Sequence, residues 1–190
     1  MSIHSLRFLQ LALFGLLTAC ASQKKNDSLV SRQGQKNQSL LIEIQKQENY
    51  RNATFPQEDD FWQEIRQEDR KSEFHADLND DLKQDALVLL IDRQKSLATV
   101  ILLLNSENGF EAPTELKSTP LRDQKIDLSI KIKAPGLDGI SNHSFFLRKN
   151  LSAVSHYKKV AAAEISSSGY YCTQGFYFHR SQLMNIEVCD

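Results

Sequence analysis

Two runs of consecutive apolar residues stand close together in the middle of the chain, residues 86–91 (Ala-Leu-Val-Leu-Leu-Ile) and 97–104 (Leu-Ala-Thr-Val-Ile-Leu-Leu-Leu), separated by Asp92-Arg93-Gln94-Lys95-Ser96. Runs this short with apolar residues at every position are the mark of strands buried on both faces, and the polar break between them is a hairpin connection. A chain built around such a hairpin needs cover on two sides. The remaining segments must therefore supply flanking strands and packed turns, which points to a mainly β, antiparallel domain.

The segment that feeds the first run is Asp77-Leu78-Asn79-Asp80-Asp81-Leu82-Lys83-Gln84-Asp85. Oxygen-bearing side chains occupy loop positions one, three, five and nine (Asp77, Asn79, Asp81, Asp85), and the carbonyl of Lys83 falls at position seven. Carboxylates, amide oxygens and a backbone carbonyl in this pattern suit a hard cation such as Ca²⁺, which takes about six to eight oxygen ligands. An EF-hand is excluded: position twelve is Val88 where that loop needs a bidentate Glu, and a strand follows instead of a helix. The same side chains can also close a tight turn through Asx hydrogen bonds to the backbone.

The pattern resembles the calcium loops of FG-GAP and VCBS-type repeats, the units of integrin-like propellers, in which Asp-x-Asn/Asp-x-Asp-Gly-x-x-Asp leads into an apolar strand. The likeness runs from about Ala76 to Leu116 and takes in the second strand, the Asn108-Gly109 turn and the Phe110-Glu111-Ala112-Pro113 ending of such a repeat. It implies propeller-blade-like central hairpins and a structural Ca²⁺ held by Asp77, Asn79, Asp81, Lys83 and Asp85. Only one copy is present, and a propeller needs at least four blades. A lone loop of this kind is similar to those of a group of small bacterial lipoproteins. Leu82 departs from the pattern, which has Gly at position six to reach φ > 0, and a left-handed Leu costs about 1–2 kcal/mol.

The N-terminus agrees with that resemblance. Arg7, an apolar stretch over residues 8–17 and then small residues have the layout of a secretory signal, too short to span a bilayer as a mature helix. Leu17-Thr18-Ala19-Cys20 matches the lipobox of bacterial lipoproteins, in which cleavage before Cys20 frees it for acylation. The expected organisation is a signal peptide over 1–19, lipidated Cys20 with a polar tether to residue 39, and one domain over 40–190. Ala21 after the Cys implies, by the same resemblance, an outer-membrane lipoprotein of the cell envelope. Loss of Arg7 with the signal moves the formal net charge from −1 to −2. Dispersed basic residues and this charge point away from nucleic acid.

Two cysteines remain, Cys172 and Cys189, in a compartment that permits disulfides. If Arg180-Ser181 is a two-residue hairpin turn, 179 pairs with 182 and the register sets Cys172 opposite Cys189, at a spacing that suits an S–S bond. A turn at Thr173-Gln174-Gly175 would instead leave them about two strand spacings apart. Residues 39–46, with Leu40, Leu41, Ile42 and Ile44, fit either a strand or a helical turn. Residues 56–70 open with Pro56 and acidic residues and carry Phe61, Trp62 and Ile65, so one short N-terminal amphipathic helix is expected there. Residues 126–132 alternate apolar and polar as a half-buried strand. A turn region over 135–142 and further strands near 144–148, 160–165, 169–172, 176–180 and 183–188 complete the reading.

Chemistry-bearing constellations do not stand out. No G-x-S-x-G elbow, H-E-x-x-H or P-loop occurs, and His75, His143, His156 and His179 fall in separate predicted elements. The chain is read as non-enzymatic. Tyr170, Tyr171, Phe176, Tyr177 and Phe178 either form an edge suited to a protein or glycan partner or close the core beside the cysteines. Two roles follow: a lipid-anchored envelope protein with a structural Ca²⁺ loop, and a lysozyme-inhibitor-like lipoprotein that acts on a protein partner.

Overall fold

The computed structural model describes residues 38–134, 160–167 and 172–189. The expected signal, Cys20 and most of the tether lie outside the described residues, as do the turn over 135–142, the strand near 144–148, His143, His156, Tyr170 and Tyr171. Two compact units are distinguished, Met1–Asn49 and Tyr50–Asp190.

In the first unit a short helix, α1, covers residues 38–45. Leu40 and Ile44 are buried, four residues apart and hence on one helical face, whereas Ile42 is exposed. The stretch that fits either strand or helix is thus helical and amphipathic.

The expected helix over 56–70 is not formed. Its place is taken by two 3₁₀ turns, Glu58–Asp60 and Gln67–Asp69, with extended backbone at Gln57, Phe61 and Arg66. The cause is where its backbone hydrogen bonds go. Trp62 N–H donates to the Ile126 carbonyl (2.8 Å) and Ile126 N–H to that of Asp60 (2.7 Å), so the segment is bridged sideways rather than along its own axis. Phe61 and Ile65 are nevertheless buried in the core. Trp62 packs against it and carries the Arg122 guanidinium 4.3 Å from its ring centre.

The second unit contains two four-stranded antiparallel sheets. The first comprises β1 (Glu73–Ala76), β2 (Asp85–Asp92), β3 (Leu97–Leu103) and β6 (Thr114–Pro120), in the order β1-β2-β3-β6. A small hairpin of β4 (Asn105–Ser106) and β5 (Gly109–Phe110) is inserted between β3 and β6. The second sheet comprises β7 (Ser129–Lys133), β8 (Ala162–Ser166), β9 (Cys172–His179) and β10 (Gln182–Cys189), in the order β10-β9-β8-β7. Each sheet is an up-and-down meander, so the architecture is mainly β and antiparallel, as the apolar hairpin implies.

That hairpin lies at the centre of its sheet. All eight residues of β2 are buried. Leu87, Leu89 and Ile91 share one face with their β3 partners Leu102, Val100 and Ala98, and enter one cluster with Ile130, Ala163, Ile165 and Phe176 of the second sheet. Ala86, Val88, Ile101 and Leu103, on the opposite face, are buried too. Each Leu or Ile removed from water contributes on the order of 1.5–3 kcal/mol. Backbone pairing of β2 is also extended beyond β1, because Leu89 donates to Ser72 and Ile91 exchanges two bonds with Thr54.

The final hairpin uses Arg180-Ser181 as its turn. His179 pairs with Gln182, and Arg180 (φ 49°) and Ser181 (φ 61°) are both left-handed, the condition of a type I′ connection. The register then carries through to Cys172 opposite Cys189, and the alternative turn at 173–175 lies within β9. Phe176 faces the core, and Tyr177 is buried on the other face with Ala162, Val160 and Ile186. Phe178 is half-buried, so none of these three aromatics forms an exposed platform. β7 keeps its alternation at Ile130 and Lys131 but ends on Lys133, which is buried with Nζ 4.0 Å from Glu164 Oε1.

Candidate functional site

The acidic loop is the connection of the β1–β2 hairpin. Ala76 pairs with Asp85, which leaves residues 77–84 to turn the chain. Leu78 anchors the loop by reaching into the core. Around that anchor the polar side chains take up backbone amides. Asp77 Oδ1 accepts from Asp81 N–H (3.1 Å) and Oδ2 from Leu82 N–H (2.9 Å). Asn79 Oδ1 also faces Asp81 N–H (3.3 Å), and Asp81 Oδ1 accepts from Lys83 N–H (2.9 Å). The backbone reverses through two left-handed residues, Asp80 (φ 64°) and Leu82 (φ 66°). Leu82 therefore adopts the conformation that its loop position demands, without glycine, and its side chain is 92% exposed.

Asp85 is placed differently. It is fully buried, Oδ2 accepting from Leu78 N–H (2.9 Å) and Oδ1 from Asn105 N–H (3.0 Å). Asn105 answers by donating from Nδ2 to the Gln84 carbonyl (3.2 Å). The loop is thereby tied to the β4–β5 hairpin, whose own turn is held by Ser106 Oγ donating to the Gly109 carbonyl and by Gly109 at φ 102°. Sequence spacing assigns Asp77, Asn79, Asp81, Lys83 and Asp85 to one oxygen cage. The structure gathers the first three around the loop's own amides, and each oxygen of the buried Asp85 accepts one amide, from Leu78 and from Asn105. Among the described residues, no group of three or more His, Cys, Asp or Glu side chains is placed to hold a metal ion. Asn105 is the partner that sequence reasoning missed. Its signal is its position at the end of the second apolar run, where a turn residue next to an acidic loop has backbone groups to satisfy.

Other polar contacts brace the scaffold. His75 Nε2 lies 2.6 Å from Glu73 Oε1, a pairing of i and i+2 on one face of β1. Asp69 accepts from Arg66 (2.9 Å) and lies 3.4 Å from Lys131 of β7. Burial alone would raise the Asp69 pKa, but these two cations outweigh it and hold the carboxyl below 3.8. Burial lowers the Lys117 ammonium on β6, with partial compensation from Glu187 on β10. Burial also raises the Tyr177 phenol.

The class defined by this architecture is an antiparallel β domain of two four-stranded meanders around one core, carrying a self-braced acidic hairpin loop. No protein-family model, curated protein or solved structure matches the chain.

Proposed function

We propose that the chain is a non-enzymatic, lipid-anchored protein of the bacterial cell envelope, displaying its β domain on a polar tether. The observation that carries this is Leu17-Thr18-Ala19-Cys20 directly behind an apolar run with Arg7 ahead of it. Acylation at Cys20 with more than one chain would anchor the protein stably, which a single chain does not do. The register of the last hairpin supports an oxidising compartment: facing residues of antiparallel strands are about 4.5–5.5 Å apart at Cα, within disulfide range, and Cys172 and Cys189 face each other. A Cys172–Cys189 disulfide is part of the proposal.

The experiment is metabolic labelling with a radioactive or clickable palmitate analogue, followed by membrane fractionation. Wild-type protein is expected to take the label and sediment with membranes. Cys20→Ser is expected to lose the label and keep its signal uncleaved. An unlabelled, soluble wild-type protein would overturn the proposal.

A second role, a lysozyme-inhibitor-like lipoprotein that engages a protein partner, is supported by two exposed apolar side chains. Leu82 of the acidic loop and Phe110 of β5 are exposed, and each has exposed acidic residues close by in sequence: Asp80 and Asp81 beside Leu82, Glu107 and Glu111 near Phe110. Inhibition of cell-wall lysis by a cationic muramidase, weakened by Leu82→Asp, is the expected result. Full lytic activity at saturating protein would refute it.

A further inference from the structure

We propose that Asn108 is a site of spontaneous deamidation, at which the Gly109 backbone nitrogen closes on the Asn108 carboxamide and water converts the residue to isoaspartate or aspartate. The turn Ser106-Glu107-Asn108-Gly109 joins β4 to β5, with Ser106 paired to Gly109. Gly109 carries the left-handed step (φ 102°), which Asn108 does not share, so the turn itself calls for glycine at that position. The same glycine makes its neighbour reactive, because it brings no side chain against the approaching carboxamide. Nor does the fold crowd it: a Cβ built on Gly109 would meet nothing within 4 Å.

The Asn108 side chain is free to take part. Glu107, Asn108 and Gly109 are all exposed, so water and base reach the site. The turn is held through its backbone, Ser106 Oγ donating to the Gly109 carbonyl (2.8 Å) and accepting from Asn108 N–H (3.3 Å). Among the described residues the Asn108 carboxamide enters no hydrogen bond, whereas the side chains of Asn52, Asn79 and Asn105 bond Gln94, Asp81 and Gln84. Asn108-Gly109 is also the one Asn-Gly pair in the chain.

In the first step the Gly109 nitrogen gives its proton to solvent and bonds to Asn108 Cγ, while the Cγ–Nδ2 bond breaks and Nδ2 leaves, reprotonated, as ammonia. Water then opens the cyclic imide. Attack at the backbone carbonyl yields isoaspartate, and attack at Cγ yields aspartate. Either product sets a new carboxylate between Glu107 and Glu111. Isoaspartate also adds a carbon to the backbone of the hairpin whose Asn105 bonds Asp85 and Gln84. Neither lipid anchoring nor a protein partner enters this inference.

The test holds the purified full chain at neutral and at mildly alkaline pH, folded and in urea. Peptide mapping by mass spectrometry follows the exchange of NH2 for OH, and enzymatic methylation counts isoaspartate. The exchange is expected to concentrate in the Asn108 peptide, to run faster at the higher pH and to leave more isoaspartate than aspartate. An exposed hairpin tip opens locally at little free energy, so the folded rate should lie within about tenfold of the rate in urea. Asn108→Gln, whose longer side chain closes the ring far more slowly, should remove the signal. A folded rate no higher than that of the other asparagines, or an undiminished signal in Asn108→Gln, would overturn the proposal. The wild-type comparison decides even if the variant does not fold.

Discussion

Replacing Leu82 with glycine should stabilise the protein, although it deletes a large apolar side chain from the loop. The residue sits at φ 66°, where an L-side chain crowds the backbone at a cost of about 1–2 kcal/mol. Little opposes its removal, because the side chain is 92% exposed and contributes almost no burial. The Leu82 N–H bond to Asp77 Oδ2 belongs to the backbone and survives. Glycine brings its own cost, roughly 0.5–1 kcal/mol from the greater freedom of the unfolded chain. The net expectation is a gain of about 0.5–1 kcal/mol, or about 1–4 °C in melting temperature for a domain of this size. Urea unfolding followed by tryptophan fluorescence of Trp62 measures it, with the midpoint raised and the slope unchanged. Leu82→Ala is the decisive control. It removes the apolar mass but keeps the Cβ, so it should gain nothing. An equal gain in Leu82→Ala, or a loss in Leu82→Gly, would refute backbone strain as the origin.

The Arg180-Ser181 turn offers the same logic on a hairpin: Arg180→Asn with Ser181→Gly suits two left-handed positions and should add about 1 kcal/mol in urea unfolding. Asp69 provides the pH dependence. Its carboxyl is held below 3.8 by Arg66 and Lys131, so its contribution is present above the ordinary carboxylate value and is lost as pH falls through the lower folded one. Melting temperatures taken from about pH 6 down to about pH 3 should fall less steeply in Asp69→Asn than in wild type, and parallel curves would exclude Asp69 as a source of acid sensitivity. The proposed Cys172–Cys189 disulfide would close a short loop, so dithiothreitol or Cys189→Ser should cost about 3 kcal/mol. Unchanged electrophoretic mobility and stability on reduction would show that the bond does not form.

The parts of the fold legible in the sequence are those fixed by one strong local term. Apolar runs define β2 and β3 because all of β2 and all of β3 except Leu97 and Thr99 are buried, and the final register follows once Arg180 and Ser181 accept φ > 0. Strands β1 and β6 are less legible: Glu73–Ala76 is half-buried throughout and Thr114–Pro120 is mostly exposed, so neither alternates cleanly. They are strands because β2 and β3 each leave a row of backbone groups that must be paired. The segment over 56–70 fails for the same reason in reverse. Its composition suits a helix, but Ile126 captures its backbone bonds, and tertiary pairing overrides local propensity.

The acidic loop is the most instructive mixture. Spacing marked its turn and its oxygen-bearing side chains, and the likeness to known loops marked the sixth position as left-handed, the conformation Leu82 adopts. Neither could reveal that Asp85 bonds Asn105, a residue brought beside it only by the pairing of Ala86 with Leu103. Oxygen side chains at alternate loop positions answer two demands equally well, ligation of a hard cation and satisfaction of backbone amides. The residue across the sheet adds a third demand that no local pattern carries: the strand end at Asn105 presents an N–H to position nine, and Asp85 is drawn inward to accept it.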